Sequence, residues 1–94
     1  MSCTVVILAT LDTKGEEARY LKEHIEKQGH RSVVIDCGTL GPPLFEPDIS
    51  REEVSAAAGV SDITCLKDEG EAISVMTKGA AAITQRLCLD RKVD

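Results

Sequence analysis

Aromatic side chains are nearly missing from this sequence, which has one Phe, one Tyr and no Trp in 94 residues. A core must therefore come from Val, Ile, Leu, Ala and Met. That palette suits a Val/Ile-rich parallel sheet under Ala-rich helices better than an aromatic-rich β-sandwich. The same scarcity removes the stacking platforms that hold single-stranded nucleic acids. Charge of one sign is not concentrated either: 11 basic and 16 acidic residues are interspersed, for a net charge of -5. No basic stripe follows a phosphodiester backbone, so nucleic acid is not an expected partner. No apolar run approaches the ~20 residues of a membrane span, and no basic region precedes a hydrophobic leader. Neither a membrane partner nor export is expected, and a cytoplasmic location is.

Four cysteines, Cys3, Cys37, Cys65 and Cys88, are widely scattered and form no C-x-x-C. His24 and His30 have no cysteine at metal-ligand spacing. In a cytosolic chain this pattern predicts buried free thiols rather than zinc or disulfides.

The length allows one small domain that buries roughly 60–65% of the unfolded chain's surface. Thr4 to Ala9, "TVVILA", is continuously apolar and predicts a strand covered on both faces. Glu16 to Gln28 predicts a helix with an inward stripe of Ala18, Leu21 and Ile25, capped by Gly29. "SVVI", residues 32–35, predicts a second strand, which completes a β-α-β unit with a right-handed crossover. The Gly- and Pro-rich "DCGTLGPPLFEPD" must be a loop over the sheet's carboxyl edge. Ser50 to Ala58 predicts a short helix stopped by Gly59, and residues 60–67 are ambiguous between strand and helical turn. Asp68 to Leu87 predicts the longest helix. Its stripe is Ile73, Met76, Ala80, Ile83 and Leu87, with Gly79 admitting close approach to a strand. Val93 and Asp94 read as the opening of a third strand.

The expected fold class is α/β, a partial Rossmann-like doubly wound parallel sheet made of β-α-β followed by two helices. As a domain, residues 1–94 form a single incomplete unit, expected to be the N-terminal fragment of a longer protein. Two strands leave a sheet edge unpartnered. The chain is therefore expected to form a homo-oligomer or to dock against a missing C-terminal domain.

The turn "LDTKGEE" admits two readings. In one, Thr13 with Glu16 is a T-x-x-E capping box, matched by Ser50 with Glu53, and Lys14 extends into solvent. In the other, the turn stands at the carboxyl edge of the sheet, where ligands enter open α/β folds. The helix N-terminus, Lys14 and the hydroxyls of Thr10 and Thr13 would then meet phosphate, and Gly15 would let a ligand approach the backbone. The turn matches neither glycine-rich phosphate loop. Asp36 ends the second strand about 20 residues on, where dinucleotide-binding folds place the acid that grips ribose. Asp48 and Arg51 flank the second capping box above the same crevice, where solvated charge is the competing reading. Asp68 reads as a helix N-cap. No nucleophile–base pair stands out, and Cys37 reads as structural.

Three stretches taken together, "ATLDTKGEEARYL", "DCGTLGPPLFEPDISREEVSAAAG" and "DEGEAISVMTKGAAAI", resemble the start of the Tm-one-like ATP-binding family, relatives of the tomato mosaic virus resistance protein. The resemblance covers nearly the whole chain. It implies a Rossmann-like N-terminal region of a much longer protein, with ATP as ligand and Mg as its companion ion. It places Thr10, Asp12, Thr13, Lys14 and Gly15 on one wall of a nucleotide crevice, with Asp36, Asp48 and Arg51 beside it. The family's glycine-rich loop follows the last residue of this chain and is absent from it. Three functions stay open: a nucleotide-binding half-site, a non-catalytic interaction or self-assembly module, and a small-molecule enzyme of unknown reaction.

Overall fold

The computed structural model describes residues 3–60 and 69–89. The elements are β1 (Thr4–Ala9), α1 (Gly15–Lys27), β2 (Arg31–Asp36), α2 (Arg51–Ala57) and α3 (Glu69–Leu89). β1 and β2 pair in parallel from Thr4 opposite Arg31 to Ala9 opposite Asp36. The fold is thus a small α/β unit consistent with a partial Rossmann-like β-α-β, as the sequence predicts. Of the ambiguous stretch 60–67 all but Val60 falls outside the described residues, as do the Asp68 cap and the third-strand opening at residues 93–94.

Period-two alternation assigns the sheet's two faces. Ile7 and Val34 pack beneath α1 with Leu11 and Ala18. Ile35 turns the other way to meet Val54, Met76, Ala80 and Ile83, with Val6 and Val33 partly buried in the same cluster. α1 therefore covers one face, while α2 and α3 cover the other. Leu11, Val34, Ile35 and Val54 are fully buried, each worth about 1.5–3 kcal/mol in removing apolar surface from water.

Several expectations shift in detail. β1 is not covered on both faces: Leu8 is 51% exposed and Val5 36%. In α1 only Gly15 and Ala18 are buried, because Leu21 points outward and stays half-exposed. In α3 the buried stripe is Ala72, Met76, Ala80 and Ile83, while Ile73 is 54% exposed. The inward arc begins one residue earlier than the pattern of large side chains suggests. Gly79 approaches a helix rather than a strand. A Cβ built there would stand 2.7 Å from the Val54 carbonyl carbon, 2.9 Å from Val54 Cγ1 and closer still to the Val54 carbonyl oxygen. α2 and α3 touch backbone to backbone at that point.

The two caps differ. At α2, Ser50 accepts from the Glu53 amide while the Glu53 side chain accepts from Ser50, a complete capping box. At α1 the N-cap is Lys14, and no side chain caps the helix. Thr13 does not form the expected box, because its hydroxyl pairs with that of Thr10 at 2.9 Å. Gly29 and Gly59 follow α1 and α2 with φ of 85° and 87°, the left-handed values that end helices.

Candidate functional site at the carboxyl edge of the sheet

The loop from Cys37 to Ser50 is fastened to the sheet by three carboxylates. Asp36 is 1% exposed. Its Oδ1 accepts from the Leu11 amide at 3.3 Å and the Gly38 amide at 2.8 Å, and its Oδ2 accepts from Arg51 Nε at 2.9 Å. One side chain thereby ties the exit of β1, the exit of β2 and the start of α2. Asp48 Oδ2 accepts from the Val34 amide at 2.8 Å, and Ile49 forms a parallel bridge to Ile35, so residues 48 and 49 line the outer edge of β2. Asp12 Oδ2 accepts from the amides of Leu40 at 2.8 Å and Gly41 at 3.1 Å. Partial burial would raise the Asp12 pKa, but the Leu40 and Gly41 amides and the nearby Arg51 charge outweigh it and hold the carboxyl below its ordinary value.

Close packing explains two glycines here. A Cβ on Gly38 would lie 2.6 Å from Arg51 Nη2 and 2.9 Å from Asp12 Oδ1, and one on Gly15 would collide with the side chain of Leu44. Both Arg51 Nη2 and Asp12 Oδ1 are buried with no hydrogen-bond partner among the described residues. They face the gap that Gly38 leaves.

Above this scaffold opens a cleft of about 1140 Å³. Its rim is Thr10, Asp12, Thr13, Lys14, Thr39 and Leu40, and its floor is Leu8, Ile73, Met76, Ala80 and Ala81, with Cys37, Thr77 and Thr84 along the wall. Of the residues singled out from sequence, Thr10, Asp12, Thr13 and Lys14 meet at this rim. Gly15 does not line the cleft and is buried under Leu44. Asp36, Asp48 and Arg51 do not line it either, because their polar atoms are engaged in fastening the loop.

Sequence reasoning missed Leu8, Thr39, Leu40 and the outer face of α3. Ile73, Thr77, Ala81 and Thr84 recur at helical spacing beside the buried stripe. That second, more polar periodicity was the available signal.

Burial, and next the Asp36 charge, push the Cys37 thiol up, which leaves it a poor nucleophile at neutral pH. Cys3 and Cys88 are exposed free thiols rather than the buried ones expected. Among the described residues, no group of three or more His, Cys, Asp or Glu could hold a metal. No helix among them is long and apolar enough to cross a membrane.

Comparison with known proteins places this α/β unit in a family. The family model for the N-terminal domain of UPF0261, an uncharacterised protein family, matches residues 3–94. The chain belongs to UPF0261. A UPF0261 protein of Clostridium tetani is 45% identical over 89 residues, covering 93% of this chain and 22% of that protein. One from Brucella suis is 36% identical over 92 residues, covering 96% and 22%, and one from Rhizobium meliloti is 38% identical over 79 residues, covering 82% and 20%. The chain thus spans about a fifth of the length of the curated relatives it matches. No solved structure matches it. These matches overturn the resemblance to the Tm-one-like family: the family model and the relatives are all UPF0261, and none is described as ATP-binding.

Proposed function

We propose that the rim of this cleft binds the phosphates of a nucleotide, with ATP as the expected ligand, and forms one side of a crevice completed elsewhere in the longer protein. The observation that carries this reading is the start of α1. The helix opens at the carboxyl edge of β1 with no side chain capping it, and Lys14 and the Thr10–Thr13 hydroxyl pair stand at the cleft mouth. A helix N-terminus carries partial positive charge that favours an anion, and the ammonium adds a full charge. The Thr13 and Lys14 amides themselves donate to the Thr10 carbonyl, so the direct contacts offered to phosphate are the Lys14 ammonium and the two hydroxyls. The fully capped α2 makes no such offer.

Glu16 and Glu17 lie in the first turn of α1 but are exposed and outside the cleft lining. Asp12 Oδ2 is engaged by Leu40 and Gly41, so a Mg ion would have to arrive with the triphosphate. No reaction is proposed, because the rim holds no base beside a nucleophile.

Calorimetric titration of ATP into the protein and its Lys14→Ala variant tests the reading. Loss of one charge-assisted contact should weaken binding roughly tenfold, equivalent to about 1.4 kcal/mol. Equal affinity of the two proteins would remove Lys14 from the site.

A further inference from the structure

The hydrogen bonds at the two ends of β1 fix which of its residues face β2. The Cys3 carbonyl accepts from the Arg31 amide at 2.8 Å, and the Ala9 carbonyl accepts from the Cys37 amide at 2.8 Å. Period-two alternation then gives the odd-numbered residues to that ladder. Val6 and Leu8 turn their N–H and C=O groups to the opposite edge, where no strand lies among the described residues.

We propose that this edge at Val6 and Leu8, with the apolar floor beside it, is the seat of a third parallel strand, supplied by the polypeptide that follows this domain in its longer family members. The side chains fit a strand at that position. Leu8 is 51% exposed on the sheet face that α3 covers, and it shares the floor with Ile73, Met76, Ala80 and Ala81. An added strand of about 5–6 residues would place alternate aliphatic side chains on that floor.

The connection fits as well. α3 packs on the face opposite α1, so a crossover helix from β2 already stands where a right-handed return beside β1 requires it. The edge carries none of the usual defences against pairing. "VVILA" has no Lys, no Pro and no charge, although an exposed edge is ordinarily blunted by such residues. Chain is available too, since this domain covers only 22% of the Clostridium tetani relative. The rim at Thr10 to Lys14 lies beyond the end of β1, so a strand seated here fills the floor and leaves the proposed phosphate site open. The strand and the nucleotide can therefore fail independently.

Hydrogen exchange decides the matter, measured on this chain alone and on the full-length Clostridium tetani protein at the aligned positions. In the chain alone the Val6 and Leu8 amides should exchange at least 100-fold faster than Ile7. In the full-length protein the aligned pair should slow to the rate of the residue between them. Fast exchange at both positions in the full-length protein would overturn the proposal. So would slow exchange in the short chain that deepens with concentration alongside a dimer mass, because a second copy would then hold the seat. A substitution gives an independent reading. Leu8→Lys should leave the melting temperature of the short chain within a degree or two, and the equivalent change should lower that of the full-length protein by several degrees. An unchanged full-length melting temperature would also overturn it.

Discussion

Replacing Gly79 by Ala sets two well-measured effects against each other. In an exposed helix interior the change is favourable by about 1 kcal/mol, because Gly loses more backbone freedom on folding. Here the new methyl would stand 2.7 Å from the Val54 carbonyl carbon and closer to its oxygen, a collision with backbone that no side-chain rotation relieves. Overpacking of this kind costs typically 1–3 kcal/mol. The obstacle is a helix rather than a rotamer, so the upper part of that range applies. α2 must also move while Ser50 holds its first turn and Arg51 holds Asp36.

The net expectation is a loss of about 1–2 kcal/mol, or roughly 4–16 °C in melting temperature for a domain of this size. Urea denaturation followed by circular dichroism measures it, with the slope compared between variants. Gly79→Ala with higher stability than the parent would refute the packing argument and show that α2 and α3 are not locked at Val54.

Other predictions rest on separate observations. Ser50→Ala should cost about 1 kcal/mol by breaking a complete capping box, and Thr13→Ala less than half of that, since Thr13 caps nothing; thermal melts of the two variants compare them directly. Arg51→Met strands the buried Asp36 carboxylate and should destabilise by about 3–5 kcal/mol, enough to shift most of the chain to the unfolded signal in circular dichroism. The pH dependence of the loop follows from Asp12. Its folded pKa lies below the ordinary 3.8, so its hold on Leu40 and Gly41 is complete above that value and is lost as pH falls through the lower folded one. Amide exchange at Leu40 and Gly41 should therefore accelerate only in that acid window, beyond the intrinsic pH trend, and Asp12→Asn should abolish the step. In thiol-alkylation mass spectrometry at neutral pH, Cys3 should react well before Cys37, whose thiol is half-buried and pushed up.

The elements of the fold were legible because their causes are local. Continuous Val and Ile mark strands, and Gly29 and Gly59 mark helix ends. Heptad-like spacing also placed most of the α3 stripe. What escaped was decided by contacts distant in sequence. Nothing in "TVVILA" says that Val6 and Leu8 face an edge with no strand among the described residues, and nothing in the T-x-x-E pattern says that the Thr13 hydroxyl prefers Thr10. Ile73 looked like core because it is large, whereas Ala72 is the residue that turns inward.

The site was half legible for the same reason. Thr10, Asp12, Thr13 and Lys14 are sequence neighbours and share the rim. Asp36 and Arg51, though charged and near the crevice, pair with each other because folding brings β2 and α2 together across the intervening loop. The family name was the least legible feature, since short motifs shared between α/β proteins suggested the wrong relatives.

The claim most open to direct test is that the rim at the start of α1 receives phosphate. A titration of ATP into the isotopically labelled chain, followed by amide chemical shifts, should move Thr10, Thr13 and Lys14 along saturable curves, with the α2 cap at Ser50 and Arg51 unmoved. Shifts confined to other elements, or an unmoved Thr10 to Lys14 segment at millimolar ATP, would contradict it.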